Sequence, residues 1–173
     1  MSDGLMLRFS RKLRRMRPES EPHLALTAFK VRPYQSGDSE AVSEICRQSP
    51  EAAQWPTESY QQAHSAGQIV LIAEIKAQVC GFLVARIAGD EAEILNTATD
   101  PAHRRKGIGS ALLLAAISAA QAHRAKTIYL EVRESNSAAI AFYAKHGFAK
   151  TGQRRQYYSR PTANAVLMKK PNC

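Results

Sequence analysis

The order of apolar runs in this 173-residue chain predicts a mixed α/β fold, in which helices cover both faces of a central, mostly antiparallel sheet. Residues 68–99 contain three β-rich runs separated by short polar turns, a pattern typical of an antiparallel meander. An Ala- and Leu-rich stretch without proline follows at 108–124 and predicts a buried helix. Further strand and helix patterns continue to the end of the chain, so one sheet can collect all the strands.

The first part of the predicted domain combines one strand with two short helices. The segment "AFKVRPY" is typical of a strand, and polar residues 36–38 are typical of a helix start. Apolar residues then repeat with the spacing of one helix face, at Ala41, Val42 and Ile45. The loop "EAAQWP" separates this helix from a second one, because its proline disfavours helix in the residue before it. We expect Thr57 to cap the second helix.

The last part of the chain adds a strand, a helix and a terminal strand pair. "KTIYLEV" has the composition of a strand, and "SNSAAIAFYAKHG" has the pattern of a helix. Ser135 or Asn136 is expected to cap this helix, and Gly147 stands where it should stop. "FAKTGQRRQYY" and "ANAVLMKK" are then predicted to pair as the final two strands.

Charge divides the chain into a basic tail, residues 1–28, and a predicted folded domain, residues 29–171. Through Arg17 the tail holds six cations and one acid, out of a net charge of +9 for the chain. A solvated, flexible tail is the simpler interpretation. Weak contact with RNA or the ribosome is the alternative, since clustered cations attract phosphate without sequence preference. A short membrane-surface helix is the third.

Composition also argues against several classes of protein. No apolar run is long enough to span a bilayer, and the start lacks the apolar core of a secretory signal. Three scattered cysteines favour free thiols in a reducing compartment, so we expect a cytoplasmic protein. The five histidines form no metal-binding pattern, and a G-x-S-x-G hydrolase motif is absent. We therefore expect no metal site.

A basic, glycine-containing turn precedes the Ala/Leu-rich helix and is the first candidate for a binding site. Arg104, Gly107 and Gly109 form an R-x-x-G-x-G pattern between a predicted strand and that helix. A P-loop is excluded because its G-K-[ST] ending is missing, and the dinucleotide fingerprint lacks its third glycine. The turn can cap a core helix, or it can direct bare backbone amides at an anion.

A second motif downstream of this turn indicates the anion. Asn136, Ala139, Tyr143, Gly147 and Phe148 give an N-x-x-A-x-x-x-Y-x-x-x-G-F pattern. Together the two motifs resemble the GNAT N-acetyltransferase superfamily. The resemblance implies the GNAT fold and acetyl-coenzyme A as the acetyl donor.

The resemblance also implies which residues bind acetyl-coenzyme A. The turn amides and the dipole of the following helix would hold its diphosphate, while the preceding strand and the second motif would approach its pantetheine and thiol. The implied cofactor-binding residues are Thr97, Ala98, Thr99, Arg104, Arg105, Lys106, Gly107, Ile108, Gly109, Ser110, Asn136 and Tyr143.

The similarity is densest from Ile94 to Tyr158, where it is greatest to ribosomal-protein-alanine N-acetyltransferases. That subgroup implies a protein N-terminus as acceptor, such as a small-subunit ribosomal protein that begins with alanine. It also implies acceptor contacts by Trp55, Tyr157 and Tyr158. The two tyrosines can equally be ordinary sheet residues.

Two side chains are candidates for the proton transfers of such a reaction. Glu131 corresponds to the subgroup's proposed general base, acting through a water; otherwise it is a strand carboxylate paired with a cation such as Arg133. Tyr143 is the candidate general acid, because a phenol is protonated at pH 7; otherwise it is a core residue, three positions after Ile140.

The sequence departs from the subgroup after the tyrosine pair. Asn164 stands where an acidic stretch is usual, which puts the ribosomal acceptor in question more than acetyl transfer itself. Two alternatives remain open at this stage. The chain could acetylate a small-molecule amine, or it could be a ribosome- or RNA-binding module with a vestigial cofactor pocket.

Overall fold

The computed structural model of the chain describes residues 28–159 and 161–172, so the predicted basic tail lies almost wholly outside the described residues. The strands and helices follow one another in the predicted order. Their bounds are β1 Lys30–Pro33, α1 Ser39–Arg47, α2 Thr57–Ser65, β2 Ile69–Ile75, β3 Gln78–Ala88, β4 Glu91–Thr99, α3 Ile108–Ala122, β5 Thr127–Arg133, α4 Ser137–Lys145, β6 Ala149–Ser159 and β7 Thr162–Pro171.

The strands form one seven-stranded sheet in the order β1-β2-β3-β4-β5-β7-β6. Within the described residues, β4 and β5 are the one parallel pair, and the other neighbours run antiparallel. A parallel pair needs a long crossover, and α3 provides it. This arrangement confirms the predicted mixed, mostly antiparallel sheet.

Helices cover both faces of the sheet, and each face has its own apolar core. Leu112, Leu113 and Ala116 of α3 pack with Leu130 and Val132 of β5 on one face. Val42 and Ile45 of α1 pack with Tyr60 of α2 on the other face, beneath Ile72 and Phe82. Alternate burial along β5 follows from this, because successive side chains of a strand point to opposite faces. Among the described residues, no helix combines the length and apolarity of a membrane span.

The predicted helix caps are confirmed in one case and wrong in another. The side chain of Asn136 accepts a hydrogen bond from the Ala139 amide, so it caps α4. Thr57 is the first residue of α2 instead of its cap, because Pro56 takes the cap position. The Thr57 hydroxyl accepts a hydrogen bond from Ser43, which ties α2 to α1.

A bulge in β4 opens the sheet next to β5. Val84 pairs with Asn96 and Ala85 pairs with Ile94, so Leu95 is an extra residue without a partner on β3. Bulges bend the strand that carries them. Beyond this point β4 no longer pairs with β5, whose last partner on β4 is Ile94. The carboxyl-terminal halves of two parallel strands therefore separate and leave a cleft.

Candidate functional site

The cleft between β4 and β5 is part of a cavity of about 490 Å³. Thr97–Thr99 border it from β4, and residues 131–133 border it from β5. These segments keep their outer partners β3 and β7, but their facing edges do not pair with each other. Apart from the Thr99 carbonyl, which accepts from Arg104, backbone groups on the facing edges are thus available to an extended, amide-containing ligand.

The glycine turn lies at the start of α3, where helix amides lack internal acceptors. Arg105 and Gly107 both have positive φ angles, 59° and 85°, and no side chain caps α3. The intrahelical bonds begin with Ala111, whose amide donates to the Gly107 carbonyl. Amides of residues 108–110 are therefore left for an external acceptor, and the helix dipole favours an anion there.

Gly109 leaves open a space that a larger residue would fill. A Cβ added at Gly109 would lie 3.7 Å from the Phe142 ring and 3.8 Å from the Thr99 hydroxyl. All three residues line the cavity, so the missing side chain keeps its wall clear. The turn, the helix start and this opening together fit a diphosphate followed by a slender chain.

Two of the three cations of the turn donate hydrogen bonds to other groups of the protein. Arg104 donates to the Thr99 carbonyl at 3.2 Å and to the Ser49 hydroxyl at 2.9 Å. Lys106 donates to the Ala102 carbonyl at 3.1 Å, while Arg105 is exposed. The side chain of Ile108 is buried in the core, so only its backbone could contact a ligand at the start of α3. Arg104 and Lys106 are therefore engaged within the protein, while the backbone amides at the helix start have no acceptor inside the helix.

Glu131 lies on β5 between two buried neighbours, Leu130 and Val132, and borders the cavity. Its side chain is 17% exposed, and Arg154 Nε lies 3.2 Å from its Oε1. The same carboxylate is the main cause of a raised pKa of the Tyr157 phenol. Glu131 therefore borders the cavity, and its carboxylate is paired with the exposed guanidinium of Arg154.

Tyr143 lines the same cavity from α4, with its ring packed between Phe142 and Phe148. Burial, with a smaller contribution from Tyr158, raises the pKa of its phenol well above the ordinary value. The phenol is therefore protonated at any physiological pH. Asn136 caps α4 and also lines the cavity. Its contact with the pantetheine stays a prediction.

The two tyrosines predicted to contact the acceptor are neighbours on β6. Tyr158 lines it, and the Arg133 guanidinium lies 4.2 Å from the Tyr158 ring centroid. Tyr157 is 49% exposed and meets Tyr158 edge to face, with 5.1 Å between ring centroids. Both tyrosines are sheet residues of β6, and Tyr158 also lines the cavity. Contact of the pair with an acceptor stays a prediction.

Trp55 does not line the cavity. Its ring packs against Tyr60 at 5.6 Å between centroids, at the margin of the core under α1 and α2. Its predicted acceptor contact stays a prediction. The loop before it, 49–53, lines the cavity instead.

Asn96 is a residue of this site that the sequence analysis missed. It is buried on β4, accepts from the Ala53 amide and donates to the Ala53 carbonyl at 2.8 Å. It also donates to the Tyr60 hydroxyl at 3.3 Å. Asn96 thereby fixes the loop that forms one wall of the cavity. An asparagine within an apolar strand needs hydrogen-bond partners when it is buried, and this was the sequence signal that could have indicated its role.

Metal chemistry has no candidate among the described residues, where no group of three His, Cys, Asp or Glu side chains comes together. Cys46 and Cys80 are free and buried. Burial raises the pKa of both thiols, that of Cys80 to about 11, so neither is poised as a nucleophile.

Comparisons with known proteins agree with this geometry. The sequence pattern of the acetyltransferase (GNAT) family matches residues 38–148. The [ribosomal protein bS18]-alanine N-acetyltransferase of Escherichia coli is 39% identical over 98 residues, which are 54% of this chain and 65% of that protein. An N-alpha-acetyltransferase of Mycobacterium tuberculosis is 36% identical over 115 residues, covering 66% of this chain and 67% of the relative.

Structural similarity extends further along the chain than sequence similarity. The crystal structure of the ribosomal-protein-S18-alanine N-acetyltransferase from Escherichia coli superimposes with a TM-score of 0.74. The match covers 83% of this chain and 94% of that one, at 28% identity. In sequence, by contrast, the chain spans less than two thirds of the Escherichia coli relative.

Proposed function

The chain belongs to the acetyltransferase (GNAT) family, and from this premise we propose that it acetylates the N-terminal α-amine of a protein, with acetyl-coenzyme A as donor. One observation carries the proposal. A single cavity is lined by Gly109 of the turn before α3, by Glu131 and by Tyr143. An anion anchor, a base and an acid around one space are what amine acetylation by a phosphorylated thioester requires.

Binding of the donor rests on backbone groups of this chain. The amides of residues 108–110 would hold the diphosphate, and the unpaired edge of β4 at Thr97–Thr99 would pair with the pantetheine amides. Asn136 lies along the same cavity. When bound, acetyl-coenzyme A supplies an activated acetyl group as a thioester.

Glu131 is proposed to accept the proton of the acceptor amine, through a water. An N-terminal amine has a pKa of about 8, so roughly one tenth of it is already neutral at pH 7. The base therefore removes little, and a partly solvated carboxylate suffices. The ammonium form would compete with Arg154 for the same carboxylate before it loses its proton.

Tyr143 is proposed to donate a proton to the departing thiolate. Its raised pKa keeps the phenol protonated throughout the working range, but it also weakens the driving force for transfer. The proton transfer is expected to occur together with departure of the thiolate, because a free thiolate, whose thiol has a pKa near 8.5, is too weak a base to deprotonate this phenol to any large extent.

The acceptor we propose is the N-terminal alanine of a small-subunit ribosomal protein. The relative from Escherichia coli, named for alanine acetylation of ribosomal protein bS18, supports this choice. The loop at 49–53 and Tyr158 both line the cavity, and such a peptide would enter between them. Asn164, in place of the usual acidic stretch, makes the acceptor the part of the proposal most in need of a test.

The test uses the full chain, acetyl-coenzyme A and peptides that begin with Ala, Ser or Met. We expect mass spectrometry to locate one acetyl group on the α-amine of the Ala peptide. The same peptide with a formylated N-terminus and a free internal lysine is the matched control and should stay unmodified. Turnover of a polyamine or aminoglycoside, with no acetylation of any peptide, would replace this proposal by small-molecule acetylation.

A further inference from the structure

Two consecutive tyrosines of β6 approach the same side of the sheet, which a regular strand does not allow. Glu131 and Arg133 alternate along β5 and so share one face. Arg154, which pairs with Glu131, lies 5.6 Å from the Tyr157 ring centroid, and the nearby Glu131 carboxylate raises the pKa of the Tyr157 phenol. The Arg133 guanidinium lies 4.2 Å from the Tyr158 ring centroid. A local break in β6 must therefore turn one of the tyrosines.

The break is a large bulge opposite a single residue of β7. Arg154 pairs with Ala165 and Tyr158 pairs with Ala163, so residues 155–157 of β6 lie opposite Asn164 alone. Gln156, in the middle of the bulge, has a φ of 51°. This left-handed conformation is unfavourable for a residue with a Cβ, so something has to hold it.

Asn164 supplies the contacts that hold the bulge. Its Oδ1 accepts a hydrogen bond from the Gln156 amide at 2.9 Å. Its Nδ2 donates to Glu134 Oε2 at 2.9 Å, and its backbone carbonyl accepts from the Glu134 amide at 3.0 Å. Gln153 donates to the other oxygen of Glu134 at 2.6 Å. The side chain of Asn164 thus joins the bulge of β6 to the end of β5.

We propose that Asn164 is a positioning residue of the acceptor site, which holds the β6 bulge so that Tyr157 reaches Glu131 while Tyr158 lines the cavity. This inference rests on the proposed function, because it assigns Glu131 to the acceptor amine. It also gives the departure at Asn164 a physical meaning. An aspartate there would place a second carboxylate against Glu134, whereas the amide of Asn164 donates to it.

The donor and acceptor of this contact can be exchanged without changing the charge. Asn164→Asp removes the donor and sets two carboxylates face to face. In Asn164→Asp with Glu134→Gln, the glutamine amide donates to the aspartate, which still accepts from Gln156. Glu134→Gln alone keeps a weaker network. Glu40→Gln, at a carboxylate of α1 that is 79% exposed, controls for loss of a surface charge.

Steady-state acetylation of the Ala peptide gives the first readout. We expect Asn164→Asp to lower kcat/KM for the peptide about tenfold or more, as for loss of a charge-assisted hydrogen bond. The double variant should return to within about threefold of Glu134→Gln. The acetyl-coenzyme A dissociation constant should be the same in all variants, since the network does not touch the turn before α3. The inference would be overturned if Asn164→Asp weakened acetyl-coenzyme A binding as much as it lowered kcat/KM for the peptide. It would also be overturned if the double variant showed no recovery of kcat/KM.

A second readout is independent of activity. NMR titration of ¹³C-labelled tyrosine, with Tyr157→Phe to assign the signal, follows the Tyr157 phenol in each variant. Its raised pKa should fall toward the ordinary value in Asn164→Asp and rise again in the double variant. A wild-type chain that acetylates no peptide would refute the proposed function, and this titration would still decide the role of Asn164. An unchanged Tyr157 titration in Asn164→Asp would refute that role.

Discussion

Replacing Asn96 by alanine should loosen one wall of the cavity and weaken the fold as a whole. Asn96 is 4% exposed on β4. It accepts from the Ala53 amide at 3.2 Å, and it donates to the Ala53 carbonyl at 2.8 Å and to the Tyr60 hydroxyl at 3.3 Å. Both backbone groups of Ala53 are thus held by one side chain, in the loop that borders the acceptor side of the cavity.

The size of the effect follows from these contacts. Each lost hydrogen bond lowers the free energy of unfolding by about 1 kcal/mol. Ala53 is exposed, so water can replace its two bonds in part, and Tyr60 keeps its contact with Cys46. We therefore expect a total loss of about 2 to 3 kcal/mol, not more. For a chain of this size that corresponds to a fall in Tm of roughly 4 to 12 °C.

Urea unfolding and thermal melting measure the stability, and acetylation kinetics measure the consequence for the site. The acceptor KM should rise, while the acetyl-coenzyme A dissociation constant stays within about twofold because the α3 turn is untouched. Asn96→Asp is the matched variant: it keeps one acceptor but buries a carboxylate against the Ala53 carbonyl, so it should be less stable than Asn96→Ala at pH 7. A loss below about 0.5 kcal/mol with an unchanged acceptor KM would refute the reasoning.

Three further predictions concern the proposed chemistry and the turn. Glu131→Gln should lower kcat at pH 7 by about tenfold, because roughly one tenth of the amine is already neutral there. A pH–rate profile should show the deficit shrinking near pH 9, where the amine loses its proton unaided; a deficit independent of pH would contradict the base role. Tyr143→Phe should slow transfer with unchanged donor binding; since a raised pKa means that the phenol keeps its proton beyond pH 10, wild-type kcat should not decline between pH 9 and 10. Gly107→Ala should lower the free energy of unfolding, measured by calorimetry, by about 1 to 2 kcal/mol because of its φ of 85°. Gly109→Val should weaken acetyl-coenzyme A binding with little change in stability. Equal changes in stability and in acetyl-coenzyme A binding for the two variants would contradict these separate roles.

The elements of this fold could be predicted because their signals are local. The Ala/Leu-rich composition of α3 and the alternation of Ile128, Leu130 and Val132 need no knowledge of the rest of the chain. The bulges could not be predicted in the same way. The extra residue Leu95 and the unpaired residues 155–157 are defined by cross-strand partners, which the sequence does not show.

The candidate site follows the same division. Gly107 and the Asn136 cap depend on backbone within a few residues, so the motif placed them correctly. Asn96 was missed because its partner, Ala53, lies 43 residues earlier in the chain. For Trp55, the motif indicated a place near the acceptor loop, but packing against Tyr60 decided where the ring lies.

Arg104 shows how such a distant contact changes the meaning of a motif. A cation in a phosphate-binding turn suggests an ion pair with the ligand, yet Arg104 bonds to the end of β4 and, across 55 residues of chain, to Ser49. The same loop is held from β4 by Asn96. In the proposed complex, the anion would be held by the α3 amides, whose direction is fixed by the helix. One side chain thus joins the turn before α3 to the end of β4 and to the loop at 49–53.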